Sequence, residues 1–232
     1  MIKRVIAMAL LAGIGIIFLV LLLGYQPDTE LNQTALYYAQ NTAHDLGAAN
    51  IVTAIVETYR GLDTLGEVTV LFLASTIVGL VLSLGRKTDQ SVSKLVPIGE
   101  LLQTGSRYLA PLVMLLGVYI FVNGHLTPGG GFQGGAVIAS GVLLLLLVDP
   151  MRHFAHSLIS VVESFAGVSY VLIGVLGLIL AGGFLDNRFI AIGQLGNLFS
   201  AGAIPLIYSL IGMKVGAEFA SVLASLAETE EL

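Results

Sequence analysis

An all-α integral membrane protein with six transmembrane helices is the architecture this sequence predicts, and three observations predict it. Of 232 residues, 56% are hydrophobic and only 11% are charged, against roughly 25% charged in an ordinary soluble domain. So little charge cannot cover a water-facing surface, and the excess apolar side chains must face lipid. Several separate stretches approach the roughly 20 helical residues needed to cross a hydrocarbon core about 30 Å thick. When six spans are drawn, the basic residues sort to one side.

The first span runs from Val5 to Leu23 without a charge, behind Lys3 and Arg4. It exceeds the roughly 7–15 apolar residues of a signal-peptide core and no A-x-A-like site follows, so it is expected to be retained. After a polar stretch, Tyr25 to His44, the segment Asp45 to Tyr59 carries Ile51, Val52, Ile55 and Val56 at helical spacing. It is too short and interrupted to cross, which predicts a short helix lying at the interface or packed on partners. Val68 to Leu84 is the second span, extending back as far as Leu65. Gly85 to Arg107 reads as a charged, Ser-rich linker containing Pro97.

Leu109 to Val122 is the third span, with Pro111 near its start; Gly131 to Val148 is the fourth and Ile159 to Leu180 the fifth. Leu195 to Met213 is the sixth, interrupted by Pro205, which is expected to kink it. Ala217 to Ala227 reads as a separate short amphipathic helix. The change in texture divides the chain into residues 1–88 with two spans, a cytoplasmic linker 89–107, and residues 108–232 with four spans.

With an inside N-terminus, Lys3, Arg4, Arg86, Lys87, Lys94, Arg107, Arg152 and Lys214 fall inside, and Arg60 and Arg188 outside. Eight of ten on one side is the bias of cytoplasmic loops. A seventh span at 45–59 would put the linker's four basic residues outside. Six spans with both termini cytoplasmic is therefore the expected topology.

Composition also excludes functions. Without cysteine there are no disulfides, thiolate metal sites, Fe–S clusters or cysteine nucleophiles. A formal charge of −5 argues against nucleic acid. Tryptophan is absent, so Tyr must supply any aromatic belt. No Ser-His-Asp order, metalloprotease motif or phosphate-binding loop is present, so neither an active site nor a cofactor is expected. The tail with Glu228, Glu230 and Glu231 reads as a solvated chain end.

The polar cluster from Arg60 to Glu67 leads directly into an apolar span. Asp63 and Glu67 are four apart and share one helix face. Two like charges at the edge of a low-dielectric span raise each other's pKa or recruit a cation, and Arg60 can neutralise one of them. That suits a path for protons or Na⁺. Helix capping is the other open reading, with Asp63 in the first turn favoured by the helix dipole.

Glu163 is the sole acid of the fifth span, open to a partner's cation, to proton relay or to the headgroups. The loop from His125 to Gly135 contains G-x-G-x-x-G at Gly129, Gly131 and Gly134. It joins two spans rather than a strand and a helix, so dinucleotide binding is rejected. A tight turn in which Pro128, Gly129, Gly130, Gly131, Gly134 and Gly135 let backbones approach is one reading. A loop lining an ion path with His125 as a titratable neighbour is the other. His153 and His156 lack a third metal ligand and read as interfacial charge buffers. Asp186 and Arg188 read as an exposed or partner-facing pair.

Two of these motifs resemble a known family. Asn50 to Glu67, with Tyr-Arg-Gly-Leu-Asp-Thr-Leu-Gly-Glu, is similar to the signature near the carboxyl end of the large A-type polypeptide of Mrp-type multisubunit Na⁺/H⁺ antiporters. The same piece is a separate small polypeptide in membrane-bound hydrogenase and sulfane reductase complexes. Asn123 to Gly135, with Leu-Thr-Pro-Gly-Gly-Gly-Phe-Gln-Gly-Gly, resembles the signature of the antiporter's B-type polypeptide. The first motif departs from the family's Asp-Phe-Arg-Gly: Thr58 stands where the acid is usual, with Glu57 nearby.

The resemblance implies a prokaryotic plasma-membrane subunit, an A-tail module fused ahead of a B-like module, in an energy-converting respiratory complex. It implies other antiporter subunits as partners, a peripheral redox arm reached through them, and Na⁺ or H⁺ as the transported ion. It implies that Asp63 and Glu67 matter for ion movement. A scaffold or membrane anchor without direct transport is the alternative.

Overall fold

The computed structural model describes residues 2–26, 30–85, 99–149 and 156–230. Among them the chain is helical, and six helices are long and apolar enough to cross a membrane. In order, the helices are α1 (Ile2–Gly24), α2 (Gln33–Leu46), the single turn α3 (Ile51–Ala54), α4 (Gly61–Gly85), α5 (Glu100–Val122), α6 (Gly131–Val148), α7 (His156–Leu180) and α8 (Ile204–Glu230). A π-helical turn, Ile55–Tyr59, joins α3 to α4, and a 3₁₀ turn, Asn187–Phe189, lies between α7 and α8.

Met1–Tyr37 forms one compact unit and Tyr38–Leu232 a second. In the first unit, α1 exposes its apolar side chains all round, as a lone span in lipid does. In the second, α8 is the axis, packing against α4, α5, α6 and α7. Ile204, Ile207, Ile211 and Val215 recur at helical spacing on its face and are fully buried. Lipid removes the hydrophobic drive for one span to leave it for another, so close van der Waals packing must hold the helices together. Small residues allow it: a Cβ at Gly134 would sit 2.6 Å from the Gly117 carbonyl of α5, and one at Gly135 2.8 Å from the Gly212 carbonyl of α8.

Several expectations change. Leu195–Met213 and Ala217–Ala227 are not two helices: α8 runs unbroken from Ile204 to Glu230, behind an irregular segment. Pro205 does not kink the helix, because it sits in the first turn, where an amide has no intrahelical acceptor to lose. Lys214 is accordingly no cytoplasmic loop residue; it lies within the last span. The segment 45–59 does form a short helix, with Val52 exposed on one face and its other face turned to the protein. Leu46, Ala48, Thr53, Ala54 and Glu57 are buried on the chain's own core. The polar stretch before it already holds α2, and α5 begins at Glu100, inside the stretch read as linker. Arg86, Lys87, Lys94, Pro97, Arg152, His153 and Glu231 lie outside the described residues.

Candidate functional site

The site grows from a contact between the two signature motifs. Asn50 caps α3, its Oδ1 accepting from the amides of Val52 (3.1 Å) and Thr53 (3.4 Å). That leaves its amide nitrogen free to donate to the carbonyls of Gly124 (2.9 Å) and Thr127 (3.0 Å). Thr53 Oγ1 donates to the same Gly124 carbonyl at 2.6 Å and receives the Tyr208 hydroxyl of α8 at 3.1 Å. The amides of Ala49 and Asn50 both donate to the His125 carbonyl at 3.0 Å. The glycine-rich loop is thereby fastened to the residues that precede α4.

His125 is fully buried in this arrangement. Its Nε2 lies 3.5 Å from the Asn197 carbonyl, at the limit of a hydrogen bond, and Nδ1 has no partner among the described residues. Burial holds its imidazole below the ordinary value, partly opposed by the nearby carbonyl of Asn197. Of the loop glycines, Gly129 faces the Ile120 carbonyl, 2.9 Å from where a Cβ would stand, and Pro128 is exposed.

The turn Ile55–Tyr59 then decides which acid points inward. Its five-residue closure, with the Arg60 amide donating to the Ile55 carbonyl at 2.7 Å, rotates the chain relative to an α-helix. Glu57 consequently faces the core, 1% exposed, with Oε2 lacking a partner among the described residues. It lies within electrostatic reach of Glu67, Tyr170 and Tyr208. Burial first, and the Glu67 charge second, push its carboxyl well above the usual carboxylate range. Thr64 Oγ1 donates to the Val56 carbonyl at 2.7 Å and ties the start of α4 back to this turn.

Asp63 and Glu67 occupy the first turns of α4, and both are exposed on the isolated chain. Arg60 pairs with Asp63 at 2.5 Å, with half or more of each side chain exposed, a geometry worth little in water. The structure therefore gathers Glu57, Arg60, Asp63 and Glu67 at one end of α4 and sets His125 apart in the loop lock. Sequence reasoning passes over Glu57 because an acid among Ile55, Val56 and Tyr59 gives no sign of an inward-rotating turn.

Glu163 belongs to a second, buried set of charges. Lys214 Nζ lies 2.7 Å from Glu218 Oε1 and 3.9 Å from Glu163 Oε1, with side-chain exposures of 11%, 0% and 18% respectively. The spacing of Lys214 and Glu218, four apart in an apolar run, is a readable sign, but a sixth span that ends at Met213 hides it. His156 pairs instead with Glu228, at 2.6 Å. Asp186 and Arg188 do pair, yet Asp186 is buried rather than exposed. The Arg188 guanidinium bonded to it holds its carboxyl below the usual range.

Residues 101–221 match the family described as a domain related to the MnhB subunit of the Na⁺/H⁺ antiporter, and residues 2–96 match the MbhE family of MBH. An uncharacterised protein of Methanocaldococcus jannaschii is 30% identical over 189 residues, 72% of either chain. The B-type polypeptide of the Na⁺/H⁺ antiporter of Bacillus subtilis is 33% identical over 81 residues, covering 35% of this chain and 51% of that one. A chain in the structure of the membrane-bound sulfane sulfur reductase, an archaeal respiratory membrane complex, is 40% identical, with a TM-score of 0.82 over 97% of this chain and 98% of that one. With more than half its length matched, the chain belongs to the family related to the MnhB subunit of the Na⁺/H⁺ antiporter.

Proposed function

We propose that this multi-pass subunit forms part of the ion path of a Mrp-type cation/proton antiporter module, with Glu57, Glu67 and Asp63 as its carboxylates. Family membership and the likeness to a respiratory membrane complex make the chain a membrane subunit of such a module in a prokaryotic plasma membrane. The observation that carries the finer reading is Glu57: a fully enclosed carboxyl with an oxygen lacking a partner among the described residues, within electrostatic reach of Glu67 at the mouth of a span. A carboxyl in that setting exchanges its charge for a proton or draws a cation to it. Asp63, already paired with Arg60 and exposed, fits the entry of such a path, or the start of the helix.

The chain contributes no active site, and any redox chemistry of the complex resides in partners reached through other antiporter subunits. Both termini face the cytoplasm in this reading. With Lys214 inside a span, seven of the nine remaining basic residues still fall on that side. The division into an A-tail module, a linker and a B-like module accompanies it.

Transport by the assembled complex in sealed vesicles tests the proposal. Glu57→Gln and Glu67→Gln, each replacing a carboxyl oxygen by an amide nitrogen with little change of shape, are expected to lower Na⁺-driven proton movement at least tenfold. Full transport by both variants, in complexes of normal subunit composition, overturns the ion-path reading and leaves the scaffold alternative.

A further inference from the structure

The charges buried between α7 and α8 play no part in the path proposed above. We propose that Glu163, Lys214 and Glu218 form a second, intramembrane site that binds and releases one proton. Lys214 lies ten residues past Ile204, the start of α8, which is about 15 Å along the helix and half the thickness of a hydrocarbon core. Two carboxylates and one ammonium leave a net charge of −1 where charge is costly, and a single bound proton removes it. Glu218 Oε2 is the oxygen placed to take it, fully enclosed and without a partner among the described residues. Protonation forms one O–H bond there and consumes one proton from water; release returns it.

The neighbours favour a proton over a metal ion. Na⁺ needs a shell of oxygens, but the ammonium of Lys214 already fills the space between the two carboxylates, 2.7 Å from one and 3.9 Å from the other. Among the described residues, only Lys214 and Glu163 act as charges on Glu218. From α4 the Phe72 ring lies 4.8 Å from Lys214 Nζ, and α6 carries no ionisable residue along its length. From α5, Phe121 lies against Gly212 and Met114 packs on the apolar cluster of Val142, Leu146 and Ala220. From α7, Gly167 leaves room for the lysine stem, its absent Cβ falling 3.6 Å from Lys214 Cδ, Cε and Nζ.

Position along the bundle gives the site its role. Towards the start of α8 lies Tyr208, within reach of Glu57; towards its end lies the Glu228–His156 pair. The trio stands between them on the same two helices. Glu163, 18% exposed in its side chain, is the member of the trio that reaches the surface of the bundle.

Infrared difference spectra of the assembled complex, taken between acid and alkaline pH, and vesicle transport test the site together. Wild-type complex is expected to show the carbonyl band of a protonated carboxyl that E218Q lacks, and E218Q is expected to lower proton movement at least tenfold. The paired variant K214M/E218Q leaves no ion of that pair unmatched and covers the case in which E218Q does not assemble. Unchanged transport and an unchanged band in either assembled variant overturn the proposal, as does a band that follows Na⁺ at fixed pH and ignores pH. E57Q and E67Q are expected to keep this band whatever their transport does, so failure of the α4 path and failure of this site are separable.

Discussion

The side-chain amide of Asn50 donates to the carbonyl of Gly124 at 2.9 Å, across 74 residues of chain. One residue thus starts a helix with its oxygen and anchors the glycine-rich loop with its nitrogen. The two signature motifs are a single structural unit at this point, and the carboxylates of α4 are held in place from the loop side.

Asn50→Ala removes the cap, worth about 1 kcal/mol, and two side-chain hydrogen bonds to the loop at about 0.5–1.5 kcal/mol each. A loss of about 2–4 kcal/mol is expected in thermal unfolding of the purified complex. Asn50→Asp keeps the cap but not the donors and is expected to fall between the alanine variant and the wild type. Equal stability of Asn50→Asp and wild type would show that the loop contacts contribute nothing.

Glu57 binds its proton more tightly in the folded chain than it would when exposed. Its contribution is intact below the ordinary carboxylate value of about 4.3 and is lost as pH rises towards the higher folded value. The midpoint of thermal unfolding for Glu57→Gln, measured against wild type across pH, is therefore expected to gain on the wild type steadily as the solution becomes more alkaline. A constant difference across pH would contradict the buried carboxyl.

His125 has the opposite sign. Its folded value lies below the ordinary one, so stability is complete above about 6.5 and declines as pH falls through that window. The protection of the Ala49 and Asn50 amides, which donate to the His125 carbonyl, measured against intrinsic hydrogen exchange at each pH, is expected to fall on acidification in wild type. That acid-induced loss of protection should vanish in His125→Gln.

Gly134 and Gly66 make a matched pair of helix glycines. Adding a methyl at Gly134 drives it to 2.6 Å from the Gly117 carbonyl, whereas nothing lies within 4 Å at Gly66. Gly134→Ala is expected to cost about 1–3 kcal/mol by overpacking. Gly66→Ala is expected to gain about 0.5–1 kcal/mol from the reduced freedom of the unfolded chain. Thermal unfolding of the two complexes side by side measures both.

Membrane spans are legible in the chain because lipid demands long uncharged runs, and Val5–Leu23 and Gly131–Val148 lie within or coincide with helices of the structure. The last span is misplaced by hydropathy from Leu195 onward. A window of hydropathy takes in Gly196, Asn197, Ser200 and Gly202 without seeing that they precede the helix, and it stops at Lys214 as if any cation must meet water.

What the sequence by itself determined is the class of protein: composition and run length dictate helices in lipid, and two local motifs carry the family. What only the tertiary structure decided is which ionisable groups are enclosed. Glu57 turns inward through a five-residue helical closure, and Lys214 and Glu218 meet Glu163 only once α7 packs on α8. Enclosure depends on neighbours far apart in the chain, and no local pattern encodes it.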